Sequence, residues 1–257
     1  MSEYIWDISH LKKFWGKSTQ IAIAIHRLSV KPGEKIAILG PSGSGKSTFL
    51  KVLATDIKEY QGQIDFFDHP LTAYSATELS QRRAVLPQST EVSFDLPVEL
   101  LVGLGRISKL SSNDQGIIQS SLEMASASHL IHQKYHELSG GERARVHLAR
   151  VFAQLWEVRD GLLLVDEPFA ALDPSLQIAL LKNLDQFVSS RNIAVMAVLH
   201  DVNHAVHFFD RALFIKKGYL VADEWLSEIT RESFESLYDT QFLEFTNDSS
   251  QRYFMAH

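Results

Sequence analysis

The sequence predicts an α/β fold built on an open, mostly parallel sheet with helices on its faces, a β-rich edge and an inserted helical segment. Three observations predict it. Lys35–Leu39 is an apolar run followed by a glycine-rich loop and then by Lys46–Ala54, where Phe49, Leu50 and Leu53 recur at helical spacing. Leu162–Val165 and Ile193–Leu199 are continuous apolar runs, the form that a strand takes when both of its faces are covered. Between these parts, residues from about Leu96 to Trp156 read as mostly helical, with Ile117, Ile118, Leu122 and Ala125 on one face and Val146, Leu148, Ala149 and Phe152 on another.

Taken in order, Gln20–Leu28 alternates isoleucine with small or polar residues, as an edge strand does, and Lys31, Pro32 and Gly33 turn the chain into the Lys35 run. The helical middle is expected to be an inserted subdomain over 89–156, with 1–88 and 157–245 as the core, all within one domain spanning 1–257. Leu176–Val188 has helical spacing. Phe214–Val221 reads as a hairpin turning at Lys217 and Gly218, and Ser227–Tyr238 as a closing pair of helices.

Composition narrows the function. A chain of 257 residues that is 45% hydrophobic can bury a large core, and a net charge of -6 gives nucleic acid no electrostatic foothold, so no nucleic-acid partner is expected. Without cysteine there is no disulfide and no thiolate metal site, which suits a reducing compartment. Met1–His10 carries Glu3 and Asp7 and lacks a basic start followed by an apolar stretch, so no secretory leader is expected. The apolar runs fall far short of the roughly 20 residues that span a bilayer, and any work at a membrane would pass through a partner.

Two motifs carry chemistry. Gly40-Pro41-Ser42-Gly43-Ser44-Gly45-Lys46-Ser47-Thr48 fits the phosphate-binding pattern G-x-x-x-x-G-K-[ST] and sits between a strand and a helix, as that pattern requires. Its glycines let backbone N–H groups turn toward the β- and γ-phosphates of a nucleotide, the helix offers its positive end, Lys46 adds a fixed charge, and Ser47 offers a hydroxyl to Mg2+. The bare pattern arises by chance in about one chain in a hundred of this length. Leu162-Leu163-Leu164-Val165-Asp166-Glu167 is an apolar strand ending in two carboxylates. Asp166 at the strand end is placed to hold Mg2+ through water, and Glu167 to polarise an attacking water as general base.

Leu138-Ser139-Gly140-Gly141-Glu142, at the start of a helix, resembles the signature motif of ABC ATPases. Two glycines ahead of a helix can present N–H groups to an anion, a second phosphate site that one chain does not need for one γ-phosphate. That points to a homodimer in which each signature, through Ser139, Gly140 and Gly141, completes the partner's pocket. The resemblance covers about Ile5 to Val221. It implies a P-loop NTPase (RecA-like) core, ATP and Mg2+ as ligands, Gln88 as a glutamine that contacts metal and water, Ala171-Leu172-Asp173 as the loop lying across the dimer, and His200 as the switch histidine beside the γ-phosphate. It also implies an aromatic that stacks on adenine, for which Trp15 is the candidate and Phe14 the alternative. Phe169 departs from the small hydroxylated residue often found in that position.

Further strings, Arg83–Gln88, Val102–Arg106, Leu148–Trp156 and Val198–Asn203, are similar to ATP-binding subunits of the iron-siderophore and cobalamin importer group, its hemin-import members in particular. The resemblance implies two integral-membrane permease subunits, an indirect periplasmic solute-binding protein, and a place on the cytoplasmic face of a bacterial inner membrane. Ferric-siderophore or cobalamin cargo and a soluble, non-transport ABC ATPase remain the alternatives. The stretch Ser89–Arg106, with Phe94, Leu96 and Val98, is expected to receive a permease helix. His200, His204 and His207 form an H-x3-H-x2-H pattern, yet His200 belongs to a strand end and Asp201 is a natural N-cap, so packed or solvated histidines are expected there and not a zinc face. Arg143, Arg145 and Arg150 read as a solvated or salt-bridged helix face.

Overall fold

The alternation at the N-terminal edge and the buried runs of the core each become strands, and the loops between them carry the polar and glycine residues. A computed structural model describes residues 3–16, 19–88, 95–109, 111–167 and 172–257. Its strands and helices are, in chain order, β1 (Trp6–Phe14), β2 (Ile21–Val30), β3 (Lys35–Leu39), α1 (Lys46–Leu53), β4 (Gln61–Phe66), β5 (His69–Pro70), α2 (Ala76–Ser80), β6 (Arg83–Leu86), α3 (Val98–Gly103), α4 (Asp114–Met124), α5 (Gly140–Leu155), β7 (Leu162–Asp166), α6 (Pro174–Ser189), β8 (Ala194–Val198), α7 (Val202–Phe208), β9 (Arg211–Lys216), β10 (Tyr219–Trp225), α8 (Arg231–Tyr238), β11 (Phe242–Thr246) and β12 (Arg252–Ala256). They fall into two compact units, 1–73 with 194–257, and 74–193.

In the first unit the strands run in the order β5-β4-β1-β2-β10-β9-β3-β8. β3 lies between β8 and β9 and is parallel to both, while β1 is antiparallel to β2 and β4, so a parallel core meets an antiparallel edge, as the sequence predicts. Alternation sets the faces: Trp6, Ile8, Ile23 and Ile25 are fully or almost fully buried, and Trp6 packs on Phe66 with ring centroids 4.8 Å apart. The β9–β10 hairpin turns at Lys217 and Gly218, which adopt φ of 51° and 84°, the left-handed pair that tight hairpins require.

The C-terminal part corrects one expectation. Ser227–Tyr238 holds one helix, α8, and not two, because Thr230 is extended at φ -117° and ψ 167° and the residues before it only turn. Beyond α8 lies the β11–β12 hairpin, for which the signal was an Asn-Asp-Ser-Ser turn between two aromatic segments. Phe234 of α8 meets Phe254 at 4.9 Å, and the Asn203 side chain of α7 exchanges two hydrogen bonds with the Phe254 backbone, at 2.7 and 3.0 Å.

In the second unit β6 and β7 pair in parallel from Arg83↔Leu162 to Leu86↔Val165. The long helices α5 and α6 bury one stripe each, and Phe152 meets Phe187 at 4.6 Å. The Gln154 amide ties α5 to the start of β6 by donating to the carbonyls of Ser80 and Arg83. Arg106, 1% exposed, is satisfied on all sides, donating to the Asp114 and Glu157 carboxylates and to the carbonyls of Lys109 and Ala153. The arginines of α5 differ from the expected solvated face: Arg143 and Arg145 donate to the carbonyls of His136 and Ser126, and burial lowers the pKa of Arg150. A guanidinium can satisfy backbone carbonyls as well as carboxylates, which is why the charge pattern alone misled.

Candidate active site

Strand register explains how separated motifs meet. Ile38 of β3 is level with Val198 of β8, so Gly40 and His200, each two residues further on, leave the sheet side by side at its carboxyl end. In the second unit Leu86 is level with Val165, and Gln88 and Glu167 follow at the same offset. The Gln88 amide donates to the Glu167 carboxylate at 2.7 Å. Neither pairing was foreseen from the sequence, although the offsets could have been counted.

The phosphate loop runs from Gly40 into α1. A Cβ on Gly40 would stand 2.0 Å from the Ile215 carbonyl oxygen, and one on Gly45, at φ 108°, would stand 2.3 Å from that of Ala22. The loop thus lies directly on β9 and β2, and the Gly218 N–H of the hairpin turn donates to the Ser44 carbonyl at 2.8 Å. Lys46, 5% exposed, donates from Nζ to the carbonyls of Gly40 and Pro41 at 2.7 and 2.9 Å, which folds its charge over the loop. Ser44 Oγ is buried without a hydrogen-bond partner among the described residues, an orphan donor that an anion's oxygen would satisfy. Pro41 is half-buried, Ser42 and Gly43 are exposed, and Ser47 and Thr48 are half-buried in the first turn of α1. A nucleotide phosphate fits this cradle: glycines where side chains have no room, a folded-in cation, an orphaned hydroxyl and a helix start.

Asp166 closes β7 and is 7% exposed. Glu167 takes φ 49°, a left-handed conformation for a residue with a side chain, at a cost of roughly 1–3 kcal/mol, as functional positions often do. Asp173 caps α6, accepting from the Leu176 N–H at 3.0 Å and the Ser175 hydroxyl at 2.6 Å, and these bonds lower its pKa. Phe169 and Ala171 lie outside the described residues.

Ser139 is the N-cap of α5 and shares a capping box with Glu142. The Glu142 N–H donates to Ser139 Oγ, while the Ser139 N–H and hydroxyl donate to the Glu142 carboxylate at 2.8 and 2.7 Å, lowering its pKa. The S-x-x-E pattern that announces such a box was present in the sequence. Ser139 and Gly140 are exposed, and a Cβ on Gly140 would meet no atom of the described residues within 4 Å.

Trp15, 51% exposed, follows β1, and its N–H donates to the Gln20 carbonyl. Phe14 is half-buried. His200 is exposed, and Asp201 after it caps α7 by accepting from the Asn203 N–H at 2.8 Å. His207 bonds the Arg252 carbonyl through Nε2, so that ring is packed on the C-terminal hairpin. In the stretch expected to receive a permease helix, Phe94 lies outside the described residues, and Val98 is wholly buried and unavailable to a partner. Among the described residues of that stretch, Leu100 and Leu104 are exposed, at 59% and 45%, and Ile107, one residue beyond it, is exposed at 65%.

Residues 24–170 match the ABC transporter family. The chain belongs to that family. It is 39% identical over 238 residues to the hemin import ATP-binding protein HmuV of Pseudomonas fluorescens, 91% of each chain, and 42% identical over 194 residues to HmuV of Pseudomonas aeruginosa, covering 74% and 76%. Among solved structures, a putative metal-chelate type ABC transporter in an inward-facing conformation superposes with a TM-score of 0.79 at 24% identity over 99% of this chain and 98% of that one. An ATP-binding cassette in a dimeric post-hydrolysis state with ADP and Pi superposes with a TM-score of 0.75 at 26% identity, covering 86% and 98%. The core is therefore the P-loop NTPase fold, and the activity of this ABC protein is ATP hydrolysis coupled to transport. No helix among the described residues is long and apolar enough to cross a membrane.

Proposed function

We propose that this chain is the ATP-hydrolysing subunit of a hemin importer, acting as a homodimer on two membrane permease subunits at the cytoplasmic face of a bacterial inner membrane, with a periplasmic hemin-binding protein delivering the cargo. The observation that carries the ATPase part is the phosphate cradle, where Gly40 and Gly45 have no space for a Cβ and Lys46 is folded over the loop. The hemin part is supported by 39% identity to a hemin import ATP-binding protein along 91% of both chains.

In this reading Gly40–Thr48 bind the triphosphate, Trp15 stacks on adenine, and Ser139, Gly140, Gly141 and Asp173 serve the nucleotide held by the partner copy. Glu167 takes the proton of the attacking water, and His200 bonds the γ-phosphate. Ser47, Gln88 and Asp166 are oxygen donors of the kind Mg2+ prefers, and the ion would offset phosphate charge. Gln88 reaches Glu167 directly, so its placement also sets the orientation of the base. Leu100, Leu104 and Ile107 are offered to an apolar helix of the permease, so that docking shares the second unit with Gln88, Asp166 and Glu167.

The test is the chain reconstituted with its permease in lipid vesicles. Hemin-loaded binding protein should raise ATP turnover several-fold over the unloaded protein, and ferric-siderophore or cobalamin partners should not. Stimulation by either of those cargoes instead would move the assignment to the other branch of the group, and turnover indifferent to any permease would favour a non-transport ATPase.

A further inference from the structure

The chain that leads into the signature loop is anchored inward at Tyr135 and, directly ahead of Ser139, at Leu138. Of residues 132–137 only Tyr135 is buried, at 3% exposure, while its neighbours on both sides face solvent. The Tyr135 hydroxyl meets His147 Nε2 at 2.8 Å inside the second unit, with the two rings edge to face at 5.4 Å. His147, two turns into α5, is 5% exposed, and Tyr135 stands four residues ahead of Ser139. The Arg143 guanidinium covers the Tyr135 ring at 5.2 Å and donates to the His136 carbonyl, closing the turn from outside. On its other side the Tyr135 N–H donates to the Leu96 carbonyl at 3.0 Å, within a short antiparallel strap in which Val98 N–H donates to Gln133 and Lys134 pairs with Asp95 at 3.1 Å.

The capping box fixes Ser139 against the axis of α5 but leaves the approach of the chain free. Tyr135 limits that freedom, because α5 holds its ring through Arg143 and its hydroxyl through His147, while the Leu96 carbonyl on the other side accepts from its N–H. We propose that Tyr135 and His147 are positioning residues for the signature motif: their buried hydrogen bond sets the pose in which Ser139, Gly140 and Gly141 can close over a nucleotide held by a second copy. Neither residue touches nucleotide. This inference rests on the reading of Ser139 as part of the partner's phosphate site.

The experiment uses the full chain and four variants, Tyr135→Phe, His147→Leu, His147→Gln and Ser139→Ala. For each, affinity for a fluorescent ATP analogue in dilute solution without Mg2+, kcat at high protein concentration, and the thermal midpoint are measured. Tyr135→Phe and His147→Leu should each lower kcat about tenfold, the loss expected when one buried hydrogen bond goes and its partner is stranded, with analogue affinity unchanged. The two changes together should cost no more than either alone. His147→Gln, whose amide can meet the tyrosine hydroxyl, should stay within about twofold of wild type. Wild-type kcat in Tyr135→Phe alongside a defect in Ser139→Ala would overturn the positioning role while leaving the signature reading intact. Silent Ser139→Ala would overturn the signature reading itself, and a kcat that tracks the thermal midpoint across all variants would reduce the pair to a structural contact.

Discussion

The phosphate loop and the signature loop both place glycines ahead of a helix, but the chain treats the two sets differently. Gly40 and Gly45 are forced by their own surroundings, since a Cβ on either would overlap a backbone carbonyl at 2.0 or 2.3 Å. Nothing among the described residues forces Gly140, whose missing side chain meets none of their atoms. A glycine that folding requires says little about ligands by itself, whereas an exposed glycine at a helix start, costing conformational entropy with no packing return, points to something that arrives from outside. On the proposed reading the first loop is a finished surface and the second is half of one.

The largest effect should come from making the second half visible. If Glu167 is the base proposed above, Glu167→Gln removes the proton acceptor while its side-chain oxygen can still accept from Gln88, so turnover should fall about 10²–10⁴-fold with ATP binding preserved. If the signature is the partner's, the ATP-bound variant should dimerise and shield the N–H groups of Gly140 and Gly141 from hydrogen exchange, and the ADP-bound form should not. Equal exchange in both states, measured by mass spectrometry, would erase the distinction between the loops. Gly45→Ala attacks the finished surface: the added methyl group meets the Ala22 carbonyl in a conformation at φ 108° that alanine resists, for roughly 3 kcal/mol of lost stability. Its denaturation midpoint should drop and ATP binding should vanish together.

Much of this contrast was legible in the sequence. Gly40–Thr48 and Leu162–Glu167 each pair a periodic apolar run with a fixed polar pattern, and both cues are local. The capping box of Ser139 and Glu142 was equally local. What escaped was long-range: the Gln88–Glu167 bond spans 79 residues and the hold of Ile215 on Gly40 spans a whole crossover, so only the register of β6 with β7 and of β3 with β9 reveals them. The Tyr135–His147 pair escaped for another reason. A histidine amid helical apolar positions carries no periodic mark that separates a buried partner from a surface residue.

That histidine gives the signature unit a liability at low pH. Burial, with the charge of Arg150 nearby, lowers the His147 pKa from 6.5 to about 4. In the unfolded chain the ring takes a proton below about pH 6.5, and in the folded chain only near pH 4, so acid favours unfolding progressively across that window. The cost approaches about 3 kcal/mol at the lower end. His147→Gln cannot titrate, and the difference in unfolding free energy between the variant and wild type, followed by urea from pH 7 to 4, should shift in favour of the variant as pH falls. A constant difference would place the charged ring in contact with solvent.

Gly140→Ala is the smallest change and divides the two loops most cleanly. Gly140 opens α5 with a negative φ, and a Cβ there touches none of the described residues, so alanine should leave stability within about 0.5 kcal/mol of wild type or raise it slightly through helix propensity. Binding of ATP to the dilute chain should also be unchanged, because the phosphate loop is untouched. On the proposed reading, however, turnover needs the phosphates held by the partner to approach the Gly140 N–H closely, and a methyl group in that space should lower kcat about tenfold, the equivalent of one weakened charge-assisted hydrogen bond. The same substitution would thus be silent in every property of the single chain and visible only in the assembled one. Full activity would mean that the open glycine is merely tolerated, and the second loop would lose its claim to be half of a site.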